Sequence, residues 1–156
     1  MGGERITVAQ CVARVLTGRL RIDDPLQIGT NAYIVLDDVS VAFNHTCDPN
    51  ALIRGENEMI ARRDITAGEE ITFDYAATVL PTFYTRVWHM RCACGSAACR
   101  GAIADVRTIP DDILRAYLGS GGVQDFVRMY LGRRRADLFG AIGDAPMPNA
   151  KGGKPV

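Results

Sequence analysis

Asn44-His-Thr-Cys-Asp-Pro-Asn50 is a polar run that ends a β-branched and aromatic stretch, Tyr33-Ile-Val-Leu-Asp-Asp-Val-Ser-Val-Ala-Phe43, and the fold turns on how this loop is read. The stretch before it, broken by Asp37-Asp38, predicts two short strands around a turn. Within the loop, Pro49 fixes the backbone and Asp48 is expected to bond nearby amides, so both shape the turn. Cys47 is the loop's soft donor, and its role depends on what lies downstream.

Downstream, Ala51 to Ile53 and Met59 to Ala61 read as short strands flanking Gly55-Glu-Asn57. The turn Thr66-Ala-Gly-Glu69 then leads into a strand, Ile71-Thr-Phe-Asp-Tyr75. Upstream, Ile6 to Leu20 predicts a strand running into a short helix. After the cysteines, Pro110 and the acids behind it open a helix through Leu118, closed by Gly119 to Gly122. Val123, Phe126, Val127, Tyr130 and Leu131 give helical spacing for a second helix to about residue 135. The Pro-, Gly- and Lys-rich residues 144–156 read as a disordered tail. The expectation is a mostly β architecture with C-terminal helices.

A length of 156 residues suits one domain, and 47% hydrophobic content can build its core. Acidic and basic residues balance at 18 each, which gives no reason to expect direct nucleic-acid binding or an anionic membrane surface. No apolar run approaches the roughly 20 residues that span a bilayer, and no secretory leader is recognised, so an intracellular site, cytoplasmic or nuclear, is expected.

Cys92-Ala-Cys94-Gly-Ser-Ala-Ala-Cys99 puts three thiolates within eight residues. That spacing suits a metal, and three free thiols so close together would invite oxidation. A tetrahedral ion needs a fourth ligand, from Cys47, Cys11 or His89, or keeps an open position as in hydrolytic zinc sites. We take Cys47, with Arg91 and Arg100 partly offsetting the negative charge. Cys11 then reads as a small buried hydrophobe and His89 as an ordinary surface or packing histidine.

With these residues in view, three segments are similar to those of one family. Asn44-His-Thr-Cys-Asp-Pro-Asn50 resembles the Asn-His-Ser-Cys-x-Pro-Asn motif of SET-domain protein-lysine methyltransferases. Gly68-Glu-Glu-Ile-Thr-Phe-Asp-Tyr75 resembles their Gly-Glu-Glu-Leu-Thr-x-Asp-Tyr motif, and the cysteine cluster resembles their post-SET zinc motif. The resemblance runs from about Gln27 to Gly101. It implies a SET-type β-clip fold of small curved sheets in which the two motifs cross in a knot-like arrangement. It further implies that Asn44 and His45 contact S-adenosylmethionine and that Tyr75 is the catalytic tyrosine. Phe73 and Tyr75 would line the substrate channel, and Cys47, Cys92, Cys94 and Cys99 would hold a structural zinc ion. The partner would be a protein or peptide substrate carrying a lysine.

The implied organisation is a SET domain over residues 1–91, shortened at its N-terminus, a zinc segment over 92–103, a helical extension over 104–143 and the tail. The Gly-x-Gly segment that opens such domains is not found; Met1-Gly-Gly-Glu-Arg-Ile resembles only the turn that follows it. A partner chain or a second copy could complete that sheet edge. Thr46 replaces the usual serine, and Ala42 stands where arginine is common. Phe73 implies transfer beyond one methyl group. The competing reading is a catalytically inactive SET-like zinc-binding interaction module.

Overall fold

The computed structural model describes residues 1–81 and 89–134. The expected tail, and the expected extension beyond Arg134, lie outside the described residues.

β1 (Gly3–Thr7) runs into α1 (Val8–Leu16), as expected for this segment. Thr7 caps the helix: its hydroxyl accepts from the Gln10 amide while the Gln10 side chain accepts from the Thr7 amide. β3 (Ala32–Leu36) is the centre of an antiparallel sheet, with β1 on one side and β2 (Pro25–Gly29) on the other. Alternation along these strands divides the side chains between two cores. Ile6 and Tyr33 pack with Cys11 of α1, which is buried as an apolar residue, and Leu26, Ile28 and Ile34 face Ile53 and Phe73.

After β3 the expected second strand is absent. Ser40–Ala42 is a turn of 3-10 helix, and β4 (Asn44–His45) follows it. The Asp37 carboxylate takes the Ser40 amide at 2.8 Å and the Asp37 carbonyl takes the Val41 amide at 2.9 Å. Local capping therefore overrides the β-branched pattern. β5 (Ala51–Arg54) and β6 (Glu58–Ala61) form the expected hairpin. Gly68, in the left-handed region at φ 87°, makes the turn in which Glu69 N–H reaches the Thr66 carbonyl.

The expected strand over 71–75 shrinks to β7 (Thr72–Phe73), because Asp74 caps a 3-10 turn over Tyr75–Thr78. β4 and β7 pair in parallel, Asn44 with Thr72 and His45 with Phe73. The two motif-bearing segments thus lie side by side. β8 (Met90–Arg91) and β9 (Ala102–Ile103) bracket the cysteine cluster.

α2 (Asp111–Gly119) begins behind Pro110 with two acids in its first turn, which suits the helix dipole. It ends as predicted in the glycines: Gly121, at φ 72°, lets the Gly121 amide reach Leu118 and the Gly122 amide reach Tyr117. α3 (Asp125–Arg134) buries Phe126, Val127 and Leu131. Just before it, the Gln124 amide donates to the carbonyls of Gln27, at 3.0 Å, and Glu56, so the helical pair is tied to β2 and to the β5–β6 turn.

A Cβ added at Gly122 would stand 2.6 Å from the Leu52 Cβ and 2.2 Å from its Cδ1, and Leu52 is buried. Gly122→Ala should cost about 1–3 kcal/mol through overpacking. A thermal melt checks this: we expect a midpoint several degrees lower, and an unchanged midpoint contradicts the packing described.

Candidate active site and metal centre

A parallel ladder of two residues per strand cannot hold itself, so side chains hold it. Asn50 is buried; its amide donates to Glu69 Oε1 at 2.9 Å and the Glu70 carbonyl at 2.8 Å, and its oxygen accepts from Thr72 N at 2.9 Å. The Thr46 amide adds a longer bond to the Phe73 carbonyl. Asp48 behaves differently from expectation. Its carboxylate takes the Arg62 guanidinium at 2.7 Å, a charge-assisted bond that nearby amides do not match, and Arg62 also reaches the Pro49 carbonyl.

Tyr75 follows the ladder after one residue, Asp74. Its ring centroid lies 4.8 Å from that of Phe73 and 5.3 Å from that of His45. Its hydroxyl donates to the Phe43 carbonyl at 2.7 Å. Both Phe73 and Tyr75 line a cleft with Asp23, Val41, Phe43 and Val79. Burial pushes the Tyr75 hydroxyl above its ordinary value, and the carboxylates of Asp23 and Glu70 add to this, so the phenol is neutral at neutral pH. Asn44 is exposed beside this strand pair, its amide donating to Glu70 Oε1 at 2.6 Å.

The four cysteines expected to act together converge. Cys47 Sγ is 3.8 Å from Cys92 Sγ, which is 3.6 Å from Cys99 Sγ. Cys94 Sγ accepts from the Cys47 amide at 3.5 Å. These spacings far exceed the ~2.05 Å of a disulfide. The two sulfur–sulfur distances lie near the ~3.8 Å edge of a tetrahedron with zinc–sulfur bonds of ~2.3 Å. The donor atoms that all lie within 4.8 Å of one another are those of His45, Cys47, Cys92 and Cys94, and Cys99 is not among them.

The thiols are also held by donors that favour thiolate. Burial pushes Cys47 up, but the Arg100 amide, 3.4 Å from its sulfur, and the Arg100 charge oppose this. Burial acts against the Cys94 thiolate too, yet the amides of Cys47 and Ser96 and the Thr46 hydroxyl hold that thiol down to about 6. Burial, first of all, pushes Cys92 up to about 12. A cation at the centre would favour thiolate at each of them.

His45 is a further donor that the spacing of the cysteines did not reveal. Its ring nitrogens and the sulfurs of Cys47, Cys92 and Cys94 offer donor atoms within 4.8 Å of one another. His45 Nε2 is 3.3 Å from Cys47 Sγ, while Nδ1 accepts the Tyr75 amide at 3.2 Å. A backbone N–H can only donate, so Nδ1 carries the lone pair and Nε2 carries the hydrogen. Nε2 is therefore a donor toward sulfur and has no lone pair for a metal. Burial also holds the imidazole below its ordinary value, against the pull of Asp74 and of the Phe73 backbone, and the Arg100 charge reinforces this. His89 is exposed and stands outside this group, and Cys11 lies in the core beside β3.

The sequence motif contains Asp74 without marking a role for it, yet its carboxylate accepts four hydrogen bonds. Fully buried, it takes both terminal nitrogens of Arg100, at 2.6 and 2.9 Å, the Tyr117 hydroxyl at 3.3 Å and the Ala76 amide at 3.1 Å. Arg100 follows the last cysteine, and Tyr117 sits on α2. One carboxylate thus joins the turn that carries Tyr75, the cysteine loop and the C-terminal helices. Arg100 was expected to offset thiolate charge; its amide reaches Cys47 while its guanidinium serves Asp74.

Comparison with known proteins follows the same segments. The family described as SET domain matches residues 20–76, which contain both motifs but not the cysteine cluster. Histone-lysine N-methyltransferase TRX1 of Oryza sativa subsp. japonica is 32% identical over 93 residues, 55% of this chain and 8% of that protein. Histone-lysine N-methyltransferase ATX2 of Arabidopsis thaliana is 30% identical over 92 residues, 54% of this chain and 7% of its own length. Histone-lysine N-methyltransferase SUV39H1-A of Danio rerio is 32% identical over 108 residues, 51% of this chain and 26% of its own. The chain therefore spans a small fraction of each of these relatives. Among the described residues, no helix is long and apolar enough to cross a membrane.

Asp74→Asn leaves the Arg100 guanidinium, 9% exposed, without its counter-charge. Breaking a buried pair in this way costs about 3–5 kcal/mol, against about 0.5–1.5 kcal/mol for the neutral bond lost in Tyr117→Phe. Urea denaturation of the two variants should show this order. Equal destabilisation contradicts the assignment of Asp74 as the hub.

Proposed function

We propose that the chain, whose residues 20–76 match the SET-domain family, is a protein-lysine N-methyltransferase, taking the methyl group from S-adenosylmethionine. The observation that carries the reading is Tyr75: a neutral phenol lining a cleft, with its proton committed to the Phe43 carbonyl. Its remaining oxygen lone pairs are acceptors for an amine N–H in that cleft. A lysine amine titrates near ~10.4 in water and must lose a proton before it can attack carbon. The apolar walls of Val41, Phe43, Phe73 and Val79 lower that value by desolvation, while Asp23 and Asp24 in the same lining favour the charged amine and the sulfonium of bound S-adenosylmethionine would oppose them. Tyr75 then orients the neutral amine, the alignment on which a displacement in line depends.

S-adenosylmethionine, when bound, supplies the sulfonium methyl group. Asn44 and His45 are its proposed contacts. The Asn44 side chain is exposed beside the Glu70 carboxylate, a polar and anionic setting that suits a cationic, amide-bonding ligand. The His45 ring is turned inward, with its side chain 5% exposed, so His45 would serve the cofactor through its backbone. Cys47, Cys92, Cys94 and Cys99 are the proposed ligands of a structural zinc ion; the 3.8 Å and 3.6 Å separations of Cys47 and Cys99 from Cys92 support the set, and a hydrogen on His45 Nε2, opposite the Nδ1 that accepts from Tyr75, would leave that nitrogen outside it. Four thiolates leave no open position for hydrolytic chemistry.

The substrate we propose is a protein or peptide bearing a lysine, in a reducing intracellular compartment that keeps the cysteines free. β1 lies at the edge of its sheet, where a strand from a partner chain or a second copy would pair.

The test is incubation of the zinc-loaded protein with labelled S-adenosylmethionine and a mixed protein extract. Wild type should label lysines, and Tyr75→Phe should lose about 10²-fold or more of that rate. Phe73→Tyr should shift the product toward the monomethyl form. Equal labelling by wild type and Tyr75→Phe removes the tyrosine from the mechanism. No labelling, together with no calorimetric heat at millimolar S-adenosylmethionine, replaces the proposal by the inactive interaction module.

A further inference from the structure

The two ring nitrogens of His45 connect the sulfur of Cys47 to the backbone of Tyr75 through one side chain. Nε2 faces Cys47 Sγ at 3.3 Å, and Nδ1 accepts from the backbone amide of Tyr75 at 3.2 Å. The side chain is 5% exposed, and its ring is packed against that of Tyr75 at 5.3 Å between centroids, with planes inclined by 58°. Rotating the ring by half a turn would put carbon toward both partners, so both bonds would be lost together. The neighbouring charge does not replace either one. Asp74 Oδ1 is 3.7 Å from Nδ1, beyond hydrogen-bond reach, and its oxygens are taken by Arg100, Tyr117 and the Ala76 amide.

We infer that His45 is a positioning residue whose imidazole transmits the state of the cysteine centre to Tyr75. A sulfur fixed as a metal ligand fixes Nε2, the rigid ring fixes Nδ1, and Nδ1 fixes the amide of the tyrosine. The hydrogen bond in turn tunes the sulfur, since a donor to a ligating atom is part of what sets metal affinity. The inference rests on the proposed metal centre but not on the methyl-transfer reading, and its test uses neither S-adenosylmethionine nor a substrate.

Two substitutions separate the ends of the bridge. In His45→Asn the side-chain oxygen takes the place of Nδ1 and the donor to sulfur is gone. In His45→Gln the amide N–H takes the place of Nε2 and the acceptor for Tyr75 is gone. His45→Asn should bind zinc about 10–100-fold more weakly in competition with a chromogenic chelator, with exchange of the Tyr75 amide hydrogen near that of wild type. His45→Gln should hold zinc like wild type, while the Tyr75 amide exchanges several-fold faster. If both substitutions move both readouts alike, or neither moves either, His45 is packing and the inference is overturned.

A third arm needs no variant. In wild-type protein loaded with cadmium-113, the His45 Nε2 proton should show scalar coupling to the metal through the Cys47 sulfur. Absence of that coupling in a folded, cadmium-loaded sample overturns the inference, and the methyltransferase reading is untouched by any of these outcomes.

Discussion

Two residues on each of two parallel strands, Asn44 and His45 beside Thr72 and Phe73, are the contact on which this molecule depends. Such a ladder is far too short to be stable in water, because ordering the backbone of each residue costs about 1–2 kcal/mol and the few bonds formed return less. It persists because three separate devices close around it. Asn50 clasps the Glu69–Thr72 segment from one side. Asp74 gathers Arg100 and Tyr117 from the other. Cys47 is drawn to the sulfurs of the later cluster. The tyrosine follows the ladder in sequence, so whatever fixes the ladder also fixes the phenol.

The devices differ in what they demand. Asn50 is a neutral amide with each polar atom satisfied locally, and it tolerates changes elsewhere. The Asp74–Arg100 pair is buried, so neither partner is tolerable alone, which makes correct docking of the cysteine loop and α2 all-or-none. The sulfur cluster adds the largest conditional contribution, because a thiolate centre of this kind binds zinc with about 10–16 kcal/mol in small peptides at neutral pH. Organisation of the cleft and organisation of the C-terminal helices are therefore one cooperative event.

Much of this was readable from residues alone, and the limits have a physical pattern. The hairpin over residues 51–61, both C-terminal helices and the turn at Gly68 follow from local chemistry, which periodicity and turn residues report directly. The gathering of Cys47 with the later cysteines was legible because soft ligands at that spacing have few other uses. Expected strands failed where an aspartate intervened: Asp37 and Asp74 each bond the backbone just ahead of them and turn strand-like sequence into 3-10 helix. The Asp74 network and the His45 bridge were invisible for another reason. Their partners stand 26, 43 and 30 residues away, and a single side-chain contact over such distances leaves no repeat in the sequence.

The account stands on the claim that four sulfurs, one from the crossing loop and three from the later cluster, hold a single ion. X-ray absorption at the zinc edge of the purified protein tests it most directly. The prediction is one zinc per chain in a shell of four sulfurs at ~2.3 Å, with no nitrogen. A nitrogen in that shell, a sulfur count below four, or folded protein that carries no metal would contradict it.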